Sequence, residues 1–134
     1  MRIPYGISNF EKLITSKNYY VDKTKFIPLL EDNRFGREYL FFVRPRRFGK
    51  SLFLSMLEYY YDINSKDKFD ALFGNLYIGK NPSEEKNKYL ILKFDFSGIN
   101  TSEGLPGIKA SFLTKIKITS VEFLDRYQNI LKYN

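Results

Sequence analysis

The sequence has no cysteine, no histidine and no tryptophan among its 134 residues. Without cysteine the chain can form neither a disulfide framework nor a thiolate metal site. Without histidine it lacks the commonest metal ligand and the commonest general base. Together these absences exclude zinc chemistry and catalysis of the Ser-His or Cys-His type.

Long apolar runs are also missing. The opening residues, 1–6, do not form the apolar stretch of a signal peptide, and no segment approaches the roughly 18 consecutive apolar residues that a membrane span requires. We therefore expect no membrane partner and a cytoplasmic location.

Large side chains and positive charge are abundant. Thirteen Phe and eleven Tyr lie within a hydrophobic fraction of 43%, which is typical of a chain that folds around one core. The formal net charge is +7, and residues 44–50 hold four basic side chains and no acidic one: Arg44, Arg46, Arg47 and Lys50. A polyanionic partner such as nucleic acid, a nucleotide or an acidic lipid must therefore be considered, and four of the seven excess charges lie in this one segment.

Apolar periodicity predicts several helices and two strands. Helices are expected over 8–14, over 23–32 with Asp22 as cap, over 51–62, around 108–118 and over 120–131. Strands are expected over 38–43, buried on both faces, and over 89–96. The helix at 51–62 is apolar nearly all round, which favours burial between two layers, and residues 63–88 are predicted to be a connector with one small packed element.

A basic loop lies between the first strand and the apolar helix. It spans residues 44–51 and ends in Gly49, Lys50 and Ser51. A strand that delivers Gly-Lys-Ser to a helix N-terminus is typical of a phosphate-binding loop, because backbone N–H groups and the helix dipole attract an anion there. The expected phosphate-binding residues are Arg44, Arg46, Arg47, Phe48, Gly49, Lys50, Ser51 and Leu52.

Within this loop, Lys50 is expected to reach the terminal phosphates and Ser51 to offer its hydroxyl to a magnesium ion. The loop departs from the pattern G-x-x-x-x-G-K-[ST], since Arg44 stands where the first glycine belongs. That substitution would strain the entry of the loop if the position needs a positive φ, and Arg44, Arg46 and Arg47 are expected to compensate by adding charge-assisted phosphate contacts. The alternative interpretation is a plain strand-to-helix turn whose arginines form a solvated basic patch.

Four motifs occur in order: YVDKT at 20–24, FVRPRRFGKSL at 42–52, LFGNLYI at 72–78 and KFDFSG at 93–98. Together they resemble the AAA-ATPase-like family of bacterial proteins, in which a P-loop domain is often followed by a restriction-nuclease-like domain. The resemblance implies an α/β P-loop fold of three layers, with strands flanked by helices. It implies ATP and Mg²⁺ as ligands, and residues 1–134 as the N-terminal portion of a single domain, truncated before the acidic-motif strand.

The acidic motif of such ATPases has no counterpart after Ser97, where no apolar strand is followed by paired carboxylates. Asp95 is the only plausible substitute, since a strand-end carboxylate could hold the metal or orient water, although a solubilising role at the end of the strand is the favoured interpretation. We therefore expect ATP binding with weak or absent hydrolysis in this chain alone. Asp22, Lys23 and Thr24 are explained by helix capping, with a role near the nucleotide as the alternative.

Two other hypotheses remain open at this point. The basic loop and the tyrosines would also suit a nucleic-acid-binding or protein-interaction fragment. A truncated product without its own activity would instead expose the apolar stripe at 120–131 and self-associate.

Overall fold

The computed structural model describes residues 3, 6–32, 39–41, 43, 45 and 48–132. The chain divides into two compact units, Met1–Tyr89 and Leu90–Asn134. The described residues of the first unit form five α-helices: α1 Phe10–Thr15, α2 Ile27–Glu31, α3 Lys50–Tyr61, α4 Phe69–Phe73 and α5 Tyr77–Lys80. Short 3-10 helices, Thr24–Phe26 and Ile63–Lys68, precede α2 and α4. Those of the second unit form α6 Gly104–Arg126 and α7 Gln128–Leu131.

Local chemistry explains where the early helices begin. Asn9 caps α1, since its side chain accepts a hydrogen bond from the Lys12 N–H. Pro28 lies in the first turn of α2, where a missing N–H is tolerated. The predicted helices over 8–14 and 51–62 correspond to α1 and α3, and the one predicted over 23–32 is a short 3-10 helix followed by α2.

The core of the first unit is built largely from aromatic rings. Phe10 of α1 stacks on Phe73 of α4 with ring centroids 5.0 Å apart, and Tyr60 of α3 meets Phe73 edge-on at 5.6 Å. The remaining buried members are Ile27, Phe53, Met56, Phe69, Leu72 and Ile78. A buried hydrogen bond of 3.0 Å from the Phe10 N–H to Ser55 Oγ also joins α1 to α3. Helices α1 to α5 therefore share one core.

Residues 63–88 contribute more to this core than predicted. Phe69, Leu72, Phe73 and Ile78 are all buried in it, so the segment is part of the core and not a connector with its own small cluster.

The helix after the basic loop, α3, is buried on one side only. Phe53, Met56 and Tyr60 face the core, whereas Leu54 is exposed. The predicted burial of this helix between two layers is wrong.

The second unit is dominated by one long helix. The two helices predicted around 108–118 and over 120–131 are largely a single helix, α6, which ends at Arg126 and is followed by α7. Tyr127, between them, is fully buried, and its hydroxyl accepts a hydrogen bond of 2.9 Å from the Ile91 N–H. Phe96 stacks on Phe112 with ring centroids 5.2 Å apart.

No helix in the described part of the chain is both long and apolar enough to cross a membrane.

The predicted α/β fold is wrong. More than half of the chain is helical, and no sheet is present among the described residues. Described residues of the first predicted strand are exposed, including Tyr39 at 84% and Phe41 at 91%. In the second predicted strand, Tyr89 forms an isolated parallel bridge with Asp62, and residues 90–96 are not strand.

The physical reason is that a strand is stabilised by backbone hydrogen bonds to a neighbouring strand. Apolar alternation favours an extended backbone, but it does not supply the partner. Neither predicted strand forms a sheet ladder among the described residues. A three-layer fold would need several paired strands at its centre.

Candidate phosphate-binding site

Gly49 sets the start of α3. Its φ of +76° and ψ of 22° lie in the left-handed region, and its carbonyl accepts the first helical hydrogen bond, at 2.9 Å, from the Phe53 N–H. A side chain in this conformation is strained, whereas glycine adopts it freely. The glycine therefore turns the chain sharply into the helix, and the N–H groups of the first helical turn point away from the helix body.

Lys50 and Ser51 occupy the first two positions of α3. We call Gly49, Lys50 and Ser51 the Gly-Lys-Ser turn. The Lys50 ammonium donates a hydrogen bond of 3.2 Å to the carbonyl of Pro45, so it lies over the loop that leads into the helix. Ser51 is exposed to solvent. The structure thus brings a lysine and an accessible hydroxyl to one helix N-terminus.

The neighbours of this turn differ in their surroundings. Leu52 packs its side chain against the core of the first unit, and its backbone N–H belongs to the first turn of α3. Phe48 is 62% exposed beside the turn. Three other predicted phosphate ligands, Arg44, Arg46 and Arg47, lie outside the described residues.

Asp22 and Thr24 form a clamp between two helical segments. Asp22 Oδ1 accepts hydrogen bonds from the Thr24 N–H at 2.8 Å and from the Thr24 hydroxyl at 2.6 Å. Asp22 Oδ2 accepts from the Tyr77 N–H at 2.8 Å, and Thr24 Oγ1 accepts from the Ile78 N–H at 3.2 Å. The two side chains therefore cap the N-terminus of α5 as well as the turn that leads into α2.

The charge of Asp22 fits this capping role. Partial burial acts to raise the pKa of Asp22, but this effect is outweighed and the pKa is lowered. The groups that lower it are the Thr24 hydroxyl, the Tyr77 N–H and the Thr24 N–H, which donate hydrogen bonds, and the charge of Lys25. The carboxylate is stabilised in its ionised form. Capping was predicted for Asp22, but its reach to α5 was not, because nothing local in the sequence links residues 55 positions apart.

Lys23 lies between the two clamp residues and faces the Gly-Lys-Ser turn. Its Nζ is 3.7 Å from the position that a Cβ on Gly49 would occupy. Lys23 is exposed to solvent. A cation from a separate segment of the first unit thus stands beside the glycine that begins α3.

Asp95 lies in the second unit, whereas the Gly-Lys-Ser turn lies in the first. Its Oδ1 accepts a hydrogen bond of 2.8 Å from the Ser97 N–H. Hydrogen bonds from the backbone and side chain of Ser97 lower the pKa of Asp95, and the nearby Lys115 and Lys93 contribute. In the described part of the chain, no cluster of three His, Cys, Asp or Glu side chains could hold a metal. The geometry of Asp95 is that of a turn-forming residue.

Comparison with known proteins identifies one uncharacterised relative and one matching family model. The chain is 36% identical over 117 residues to an uncharacterised protein from the vnfD 5′ region of Azotobacter chroococcum mcd 1. That match covers 84% of this chain but only 21% of the relative, so the chain spans about a fifth of that protein's length. No solved structure matches the chain. The family model described as Predicted AAA-ATPase matches residues 4–133. The chain therefore belongs to the Predicted AAA-ATPase family, whose name indicates interaction with a nucleotide.

Proposed function

We propose that this chain binds ATP with Mg²⁺ at the Gly-Lys-Ser turn, through a variant Walker A loop. The observation that carries the proposal is the left-handed Gly49 at the start of α3, with Lys50 and Ser51 in the first helical turn. This arrangement occurs in a member of the Predicted AAA-ATPase family. A helix of 12 residues directs its positive dipole end at the same point.

Lys50 is the principal phosphate ligand of the proposal. Its ammonium now donates to the neutral carbonyl of Pro45. A phosphate oxygen carries a full negative charge and forms a stronger, charge-assisted hydrogen bond with an ammonium. The ammonium would therefore exchange its carbonyl partner for a phosphate when nucleotide arrives.

The remaining contacts come from the backbone and from the basic loop. The N–H groups of Phe48, Gly49, Ser51 and Leu52 would cradle phosphate oxygens. Arg44, Arg46 and Arg47 add three positive charges immediately before the turn in sequence. They are expected to contact the phosphates, in keeping with the preference of arginine for such groups.

The Ser51 hydroxyl would be the protein's contact to Mg²⁺. Because the described residues offer no carboxylate cluster for a metal, the ion would enter with the nucleotide, held by its phosphates and by waters, as Mg²⁺ commonly is. Hydrolysis also requires a group that orients the attacking water and one that holds the metal in place. We therefore propose that hydrolysis by this chain alone is weak or absent.

Titration of a fluorescent ATP analogue, with and without Mg²⁺, tests the proposal. Lys50→Ala should weaken binding by about 10- to 100-fold, because a hydrogen bond between charged groups contributes roughly 1.5–3 kcal/mol. Ser51→Ala should reduce the dependence of binding on Mg²⁺, because the protein's contact to the ion is lost while the phosphates still hold it. Lys66→Ala is the matched control, since Lys66 is exposed and follows the far end of α3. Equal affinity for wild type, Lys50→Ala and Lys66→Ala would refute the site.

A second candidate function is binding of single-stranded nucleic acid. Exposed aromatic side chains lie shortly before the basic loop, at Tyr39 and Phe41, and within it, at Phe48. Aromatic rings beside arginines suit base stacking combined with phosphate contacts. Affinity for an oligonucleotide should then fall steeply with salt and fall again in Phe48→Ala, whereas ATP binding should depend on Mg²⁺ and Ser51.

A further inference from the structure

We propose that Lys23 is a second phosphate-binding lysine of the same site, supplied by the segment before α2 and not by the basic loop. The inference rests on the proposed function, because it needs an anion at the Gly-Lys-Ser turn. It adds a residue more than twenty positions before that turn in the sequence.

The Lys23 ammonium lies beside the helix N-terminus at which the proposed phosphate would bind. Lys23 Nζ lies 3.7 Å from the position of an added Cβ on Gly49. Gly49 is the residue from which the first turn of α3 departs, and the Lys50 ammonium lies over the same loop on Pro45. Two ammonium groups from separate segments therefore approach one helix N-terminus, where the helix dipole is also positive. An anion would relieve the accumulation of positive charge.

The backbone of Lys23 is held on both sides. Asp22 is bonded to the Tyr77 N–H, and Thr24 is fully buried and accepts from the Ile78 N–H. The Lys23 N–H itself donates to the Tyr20 hydroxyl at 3.4 Å. Because the main chain is fixed, less conformational entropy is lost when the side chain meets a ligand. The clamp thus presents the lysine to the turn.

The neighbouring acid does not require Lys23. The Asp22 carboxylate is satisfied by Thr24 and the Tyr77 N–H, and among lysines it is Lys25 whose charge lowers the pKa of Asp22. Lys25 also lies 5.6 Å from the centre of the Phe26 ring. The placement of Lys23 Nζ beside Gly49 is therefore not explained by an ion pair with Asp22.

Nucleotide titration of three alanine variants tests the inference. Lys23→Ala should weaken binding of the Mg²⁺-bound fluorescent ATP analogue by about tenfold, the low end for a charge-assisted contact because Lys23 is exposed. Lys25→Ala, an equal loss of charge two positions away, should leave the affinity within about twofold. If Lys50→Ala loses binding and Lys23→Ala matches Lys25→Ala, the Lys23 proposal is overturned while the site stands. If wild type does not bind, both proposals fail.

Chemical labelling provides a readout that does not depend on folding of a variant. Limited acetylation of the wild-type chain, followed by peptide mass spectrometry, gives the reactivity of each lysine with and without MgATP. Bound ATP should lower the reactivity of Lys23 and Lys50 several-fold and leave Lys25 unchanged. Protection of Lys50 without protection of Lys23 would contradict the inference, and protection of neither would contradict the ATP site itself.

Discussion

Replacing Thr24 with valine tests the clamp that joins the turn before α2 to the start of α5. Thr24 is fully buried, and its hydroxyl both donates to Asp22 Oδ1 at 2.6 Å and accepts from the Ile78 N–H at 3.2 Å. Valine has nearly the same shape but no hydroxyl. The substitution therefore removes two hydrogen bonds while leaving the packing almost unchanged.

The expected loss of stability is large for so small a change. A hydrogen bond to a charged group contributes roughly 1.5–3 kcal/mol, and a buried N–H left without an acceptor costs about 1–3 kcal/mol. Asp22 keeps its bonds from the N–H groups of Thr24 and Tyr77, which moderates the effect. We expect Thr24→Val to lower the free energy of unfolding by about 2–4 kcal/mol, against the roughly 5–15 kcal/mol of an ordinary domain.

Urea unfolding followed by circular dichroism measures this difference. Thr15→Val makes the same chemical change at an exposed position, where the hydroxyl donates to the Glu11 carbonyl at 2.8 Å. That control should change stability by no more than about 0.5 kcal/mol. If Thr24→Val and Thr15→Val unfold at the same urea concentration, the clamp does not hold α5, and the fixed placement of Lys23 loses its basis.

Four further substitutions test the aromatic core, the Gly-Lys-Ser turn, the charge of Asp22 and the exposed side of α6. Phe73→Ala should cost about 3–5 kcal/mol in urea unfolding, because Phe73 is fully buried, whereas the exposed Phe48→Ala should cost almost nothing. Gly49→Ala should lower stability by about 1–2 kcal/mol, because of its φ of +76°; an unchanged melting temperature would contradict the left-handed start of α3. The folded-state pKa of Asp22 lies below its ordinary 3.8, so its ionised form stabilises the fold above that pH and the contribution is lost as pH falls further. The difference in free energy of unfolding between wild type and Asp22→Asn should therefore become smaller below about pH 3.8. A difference that stays constant with pH would contradict a stabilising role of the Asp22 carboxylate. Leu124 of α6 is 57% exposed, so Leu124→Glu should reduce any self-association seen by sedimentation velocity.

Local signals in the sequence predicted the helices well and the sheet badly. The cap and apolar spacing near Phe10, and the Pro28 in the first turn of α2, act within a few residues, and the structure agrees with both. A sheet depends on pairing between distant segments, which one sequence does not display. The aromatic and β-branched run ending at Val43 has the composition of a strand, yet Val43 is exposed.

In the candidate site, too, the local features could be predicted from the sequence and the long-range contact could not. Gly49, Lys50 and Ser51 could be identified from their order before an apolar helix, and the conformation of Gly49 agrees with a tight turn at that point. The proximity of Lys23 to Gly49 could not be derived from spacing, because it depends on how the segment before α2 packs. The Asp-Lys-Thr triplet gave the one usable hint, since Asp and Thr two residues apart often bond each other and the backbone between them.

The clamp and the lysine have different physical requirements, although they are adjacent in sequence. Asp22 and Thr24 are oriented inward by hydrogen bonds to α5, whereas Lys23 is exposed and faces the start of α3. A segment needed only for stability would tolerate most polar residues between the two clamp positions. A segment that also binds phosphate would tolerate arginine there and reject a neutral side chain. Lys23→Arg and Lys23→Gln should therefore unfold alike, and only the glutamine variant should lose affinity for ATP.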